Sequence, residues 1–118
     1  MTFLDAINEF LSYMNSVRSY SSNTIDAYRR DLEQFYAFSC EYFNKEEVAI
    51  RDIDKVTLRH FLGMLTEAKY TARSASRKLA ALKSFFKYCL KRGLIEKNPA
   101  YSIKSPKIPR TLPTVLSK

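Results

Sequence analysis

The sequence predicts an all-α fold, a compact bundle of four main helices followed by an extended C-terminal tail. Three observations carry that prediction. Backbone breakers are scarce: the 118 residues hold two glycines and four prolines, and Pro106, Pro109 and Pro113 cluster near the C-terminus. So few turn formers before position 98 do not suit a many-stranded sandwich or a glycine-looped nucleotide-binding fold. Apolar residues recur at the three-and-four spacing of a helix face in four separate segments. Short polar connections join those segments, which favours neighbouring helices in one bundle. At this length and 46% hydrophobic content the chain has the size of one domain and enough apolar surface for a core.

Thr2 is placed to cap the first helix, with Asp5 in its first turn near the positive end of the helix dipole. Its inward face is Phe3, Ile7, Phe10, Leu11 and Met14. The run from Ser16 to Ser22 breaks the stripe, and Ser21 and Ser22 offer caps for a second, longer helix. That helix turns Ile25, Tyr28, Leu32, Phe35, Tyr36, Ser39 and Phe43 inward over about five turns. Residues 44–51 read as a polar connection in which Val48 and Ile50 act as local plugs. A third helix starts at Asp52 or Asp54 and buries Val56, Phe61, Leu62 and Leu65. Gly63 inside it costs about 1 kcal/mol against alanine, so close packing is expected there. After a turn at residues 69–72, Ser74 caps a fourth helix whose inward set is Ala75, Leu79, Leu82, Phe86, Cys89 and Leu90. Gly93 stops that helix, and Asn98-Pro99 is a second barrier. Beyond Ser102 a proline falls every three or four residues and the helical stripe is gone, the mark of an extended, semi-rigid segment. The expected division is a helical domain over residues 1–103 and a tail over residues 104–118 leading on to a further part of a longer protein.

The formal charge of +8 is unevenly spread. Residues 1–68 hold seven basic and eleven acidic side chains, a net −4. Residues 69–118 hold thirteen basic side chains and one acid, Glu96, a net +12. A half of this kind suits a polyanionic partner, because each lysine or arginine seated on a phosphate releases condensed counterions. On the fourth helix Arg73, Arg77, Ala80, Ser84, Lys87 and Lys91 gather opposite the apolar face, flanked by Lys78, Lys83 and Arg92. No acid stands between Glu67 and Glu96, so nothing on this helix offsets those charges as it would on an ordinary solvated face. Ala80, Ala81 and Ser84 are small, which lets a helix backbone approach a groove while the cations reach phosphates on either side. The second helix has a mixed outer face of Asn23, Asp26, Arg30, Gln34 and Glu41. Its start, Ser21-Ser22-Asn23-Thr24, combines side-chain donors with first-turn amides, a ready phosphate site, with plain capping the other reading of Ser22. The candidate polyanion contacts are therefore Ser22, Asn23, Thr24 and Arg30 on the second helix and Arg73, Ser74, Arg77, Lys78, Ser84, Lys87 and Lys91 on the fourth.

Catalytic constellations are missing. His60 is the lone histidine, so a histidine-based metal site or triad lacks partners. Cys40 and Cys89 make no disulfide framework, which fits a reducing cytosol, and Cys89 on an apolar stripe reads as a core thiol. The sequence carries neither a Walker lysine loop nor a GxGxxG, and the carboxylates look scattered over exposed faces. No catalytic residue, metal ligand or cofactor is expected. No apolar run approaches the roughly 18–20 residues needed to span a bilayer, and no secretory leader is expected.

These residues resemble a known family. Ser22-Asn23-Thr24-Ile25-Asp26-Ala27-Tyr28-Arg29-Arg30-Asp31-Leu32 is similar to the second-helix signature of the N-terminal domain of tyrosine recombinases, the phage integrase family, in its Xer-type members. Ser76-Arg77-Lys78-Leu79-Ala80-Ala81-Leu82-Lys83-Ser84-Phe85-Phe86-Lys87-Tyr88 resembles their next signature. Asn98-Pro99-Ala100 and the run from Ser105 to Pro113 resemble their exit from the domain and their interdomain linker. The ordered set covers nearly the whole chain.

The resemblance implies a SAM-like core-binding domain, one half of a C-shaped clamp on duplex DNA whose second and fourth helices cross the major groove. It further implies chemistry through a tyrosine nucleophile and a 3′-phosphotyrosyl link, assisted by an Arg…His-x-x-Arg…Tyr set, with no metal or nucleotide cofactor. That set would lie in a C-terminal domain beginning about where this chain stops. His60 is followed by Phe61-Leu62-Gly63 rather than by an arginine three on, so the chain is expected to clamp DNA and cut nothing. The parent protein is expected to work as a tetramer of sister protomers on two sites, in the cytoplasm with the nucleoid, and the isolated domain to be a monomer. Its role would be chromosome-dimer resolution or the integration and excision of mobile elements. Two other readings stay open on the residues alone: a non-enzymatic basic adaptor for an acidic protein, and a helix-turn-helix regulator. The second is weakened by the lack of a short glycine turn between two short helices.

Overall fold

Four helices and one short 3-10 turn (Ile50–Asp52) make up the computed structural model, which describes residues 2–17 and 20–104. They are α1 (Phe3–Val17), α2 (Ser22–Phe43), α3 (Lys55–Glu67) and α4 (Ala72–Lys91), with no strand among the described residues. The expected extended tail, from residue 105 on, lies outside them.

Each helix starts on a side-chain oxygen that takes an otherwise orphan amide. Thr2 accepts from the Asp5 amide at 3.0 Å while Asp5 accepts from the Thr2 amide at 3.3 Å, a reciprocal capping box. Ser21 accepts from the Thr24 amide, and Asp54 from the Thr57 amide. For α4 the cap is Thr71, whose hydroxyl accepts from the Ser74 amide at 3.1 Å. This corrects the expected cap at Ser74: that residue is the donor three positions inside, and α4 starts earlier.

Asn44 (φ 55°), Lys69 (φ 66°) and Gly93 (φ 77°) lie in the left-handed region just past α2, α3 and α4. There the next amide reaches back five residues, Lys45 to Cys40, Tyr70 to Leu65 and Leu94 to Cys89, each within 3.0 Å. Gly93 holds this conformation without a Cβ clash, as its place as a helix stop requires.

The α2 and α4 helices each pack against all three others and form the middle of the bundle. Phe35 of α2 sits at the centre. Its ring meets Phe3 of α1 at 6.2 Å, Phe61 of α3 edge-on at 5.1 Å and Phe86 of α4 edge-on at 6.2 Å. Such a fully buried ring contributes about 1.5–3 kcal/mol from burial, with the favourable edge geometry adding to it. All five predicted α1 positions are buried, as are Val48 and Ile50.

Three predicted packing features are corrected. Val56 is exposed, because α3 turns Thr57, Leu58, Phe61 and Leu65 inward and position 56 falls on the far side. Leu90 is exposed as well: the buried arc of α4 is rotated toward Ala81 and Phe85, which leaves Leu90 beyond its edge. Gly63 marks no close packing, since a Cβ built there meets nothing within 4 Å. After α4, Ile95, Ala100 and Ile103 are buried, so the chain stays on the core as far as Ile103.

Candidate nucleic-acid interface

The contact between α2 and α4 is built around a buried carboxylate. Asp31 sits on the apolar stripe of α2, one turn before Phe35, and its side chain is 2% exposed. Its Oδ1 accepts from Lys78 Nζ at 2.9 Å and from Arg77 Nη2 at 3.1 Å, both on α4. Its Oδ2 is buried with no hydrogen-bond partner among the described residues. The two donors differ in surroundings. Lys78 is 9% exposed, whereas Arg77 is 57% exposed and keeps much of its guanidinium in solvent. Lys78 Nζ also lies 5.3 Å from the centre of the Tyr70 ring, whose hydroxyl accepts from Gln34 of α2 at 3.1 Å.

This geometry corrects two expectations. Lys78 is not a flank of the exposed cationic face; it neutralises a core acid. The carboxylates are not all scattered on the surface: α4 itself carries no acid, as expected, but the buried Asp31 of α2 pairs with its Arg77 and Lys78, and Glu9 of α1 pairs with Arg92 at its C-cap. Glu9 grips Arg92 through both oxygens, at 2.9 and 3.4 Å. That hydrogen bonding holds the Glu9 carboxyl below its ordinary range and raises the Arg92 guanidinium.

The exposed face of α4 carries Arg73, Arg77, Ala80, Ser84, Lys87 and Lys91. Ser84, Lys87 and Lys91 line a groove of about 250 Å³ with Tyr20 and with Tyr28 of α2. The structure therefore joins the second half of the α4 face to the start of α2 through Tyr20, which the sequence did not single out, and through Tyr28, expected only as an inward residue of α2. Ser22, Asn23 and Arg30 are exposed, while Thr24 is half-buried and engaged by the Ser21 hydroxyl at 3.0 Å as well as through its amide. Ser22 lines a different groove, shared with Asp26 and with Asn15 of α1, and is not brought onto the cationic one. Ser74 is half-buried at the α4 cap.

Elsewhere the chemistry is structural. Burial pushes the Cys89 thiol up to about 12. His60 is exposed beside the Tyr42 ring at 5.2 Å. Among the described residues no cluster of three or more His, Cys, Asp or Glu side chains could hold a metal, and no helix is long and apolar enough to cross a membrane. The signal that could have found the Asp31–Lys78 pair was present: each is a charged residue standing on the apolar stripe of its helix, with opposite signs.

Comparison with known proteins places this geometry. The family described as phage integrase, N-terminal SAM-like domain, matches residues 7–93. The chain is 34% identical to the tyrosine recombinase XerC of Xanthomonas axonopodis pv. citri, over 96% of this chain and 39% of the relative. It is 37% identical to the tyrosine recombinase XerC of Roseiflexus castenholzii, over 96% of this chain and 35% of the relative. For the tyrosine recombinase XerC of Rickettsia typhi the identity is 38%, over 96% of this chain and 38% of the relative. The chain thus spans between a third and two fifths of the length of these relatives. No solved structure matches it. With a family match over most of the helical bundle and relatives above 30% identity, the chain belongs to the phage integrase N-terminal SAM-like domain family.

Proposed function

We propose that this chain is the DNA-clamping, core-binding domain of a site-specific tyrosine recombinase, laying α2 and α4 against duplex DNA. The observation that carries the reading is the exposed α4 face, with Arg73, Arg77, Lys87 and Lys91 around the small Ala80 and Ser84, continued by Tyr20 and Tyr28. Long cations on either side of small residues let the helix approach a groove while phosphates are neutralised at its margins.

In this reading residues 1–103 are the binding domain, and residues 104–118 are the linker and the start of a catalytic domain. The domain binds DNA but does not cut it, since none of its tyrosines stands in an Arg…His-x-x-Arg…Tyr set. The full-length protein breaks and rejoins DNA through a tyrosine, as a cytoplasmic tetramer on two sites, without metal or nucleotide cofactor. The names of the relatives and the length they have beyond this chain support that division of labour.

Titration of a fluorescent duplex with the chain across a salt series tests the reading. The logarithm of the affinity falls by about 0.9 per phosphate contact for each log unit of salt. Absence of duplex binding even at low salt would overturn it and favour an acidic protein partner instead.

A further inference from the structure

We propose that Asp31 is a positioning residue for sequence recognition: from inside the α2–α4 contact it fixes the Arg77 guanidinium so that Arg77 offers an oriented fork of donors to a guanine edge. This rests on the DNA-binding reading above. Neutralising the buried Lys78 explains the bond at 2.9 Å, but not why the same oxygen also holds an arginine that is 57% exposed. An exposed arginine ordinarily samples many rotamers and gives up that freedom on binding. Here Nη2 is tied to a carboxylate that is itself held in place by core packing and by Lys78, which Tyr70 backs in turn. The ordering cost is therefore met during folding, before DNA arrives.

The surroundings suit base contact at this point. Ala80 and Ser84 follow Arg77 along the same exposed face, so the α4 backbone can approach a groove within an arginine's reach. The two parallel donors of a guanidinium match guanine O6 and N7. Lys87 and Lys91 stand in no ion pair among the described residues and act as untethered charges on phosphates. Among the described residues Arg77 is the tethered cation of this face, and it carries a fork, whereas Arg73 has a fork but no ion pair to orient it.

The test is binding of the 118-residue chain to a duplex library with a randomised centre, followed by sequencing of the bound fraction. Two variants are compared with the wild type, D31N/K78M and R77K. The first removes one charge of each sign, so the net charge stays +8 and no buried ammonium is left unpaired. The second keeps the charge of an exposed side chain and removes the fork, so it reports even if the double variant does not fold, which thermal unfolding shows. The readout is the affinity for the enriched duplex relative to an unrelated one. The wild type is expected to enrich guanine at one position, and both variants to lower that ratio about two- to tenfold. A purely structural role for Asp31 would lower both affinities together and leave the ratio intact. Wild-type preference retained in R77K, or duplex binding by the wild type with no guanine preference, would overturn the proposal. No duplex binding at all would overturn the DNA-binding reading itself, so the two failures are distinguishable.

Discussion

Lys78 of α4 donates to Asp31 of α2 at 2.9 Å with both side chains buried, so two helices of the bundle are joined by an ion pair inside the core. A buried pair of this kind adds little net stability over apolar residues of similar size, yet removing one partner strands the other. Asp31→Ala is expected to cost about 3–5 kcal/mol, because the Lys78 ammonium is left buried without its carboxylate. The double variant D31N/K78M should cost less than the sum of its two single variants, by a coupling of about 0.5–3 kcal/mol. Chemical denaturation of the four proteins measures this, and simple additivity would show that the pair is not energetically coupled.

Leu82 and Phe86 are fully buried on α4, and Phe86 meets Phe35 edge-on. Replacing either with alanine is expected to destabilise the fold by about 2–5 kcal/mol. Thermal or denaturant unfolding that stays at the wild-type midpoint would reject their place in the core.

How far the sequence reaches can be judged residue by residue. The α1 face was legible because five apolar side chains recur with no competing pattern, and Ser21 and Gly93 were legible because cap chemistry is local. Thr71 and Ser74 were not separable as caps, since both carry hydroxyls three apart and only the chain path shows which accepts. Val56 and Leu90 were misplaced because apolar character was read without knowing where the packed arc ends. On the candidate site, Arg77, Ser84, Lys87 and Lys91 were visible as cations and small residues on one face. Lys78 was read as a cationic flank although it and Asp31 both stand on apolar stripes, and the pairing itself, like the approach of Tyr20 to α4, depends on which helix lies opposite, a tertiary fact.

Asp54 predicts the acid limb of stability. The Thr57 amide donates to its carboxylate at 2.9 Å and the Thr57 hydroxyl does the same, which holds the acid below its ordinary value of 3.8. A carboxyl lowered by folding contributes stability that is present above its unfolded value and lost as pH falls through the folded one. Stability should therefore decline below about pH 4, with Glu9, lowered by its hydrogen bonding to Arg92, acting in the same direction. Asp54→Ala should cost about 1 kcal/mol near neutral pH. Asp54→Ser should keep the cap and flatten the acid limb; a limb as steep as in the wild type would contradict the assignment.

The two thiols should differ in reactivity. Burial raises Cys89 to about 12, whereas Cys40 is half-buried with its Sγ 3.6 Å from the Glu46 carbonyl oxygen. Alkylation at pH 8 is expected to modify Cys40 in the folded protein and Cys89 only once the fold opens. Equal native rates, followed by mass spectrometry, would show that Cys89 is not sealed in the core.

The central claim is that the exposed α4 face meets DNA phosphates, and the salt dependence of duplex binding tests it most directly. Two variants are compared with the wild type: R77A/K87A on that face, and R51A/K97A, which removes the same charge at the separate groove between the 3-10 turn and the segment after α4. R77A/K87A is expected to weaken binding and to reduce the slope of log affinity against log salt by about 1, the phosphate contact of Lys87, with helicity unchanged, while R51A/K97A leaves the slope as it was. Equal slopes for the two variants, or an unaltered affinity in R77A/K87A, would contradict it.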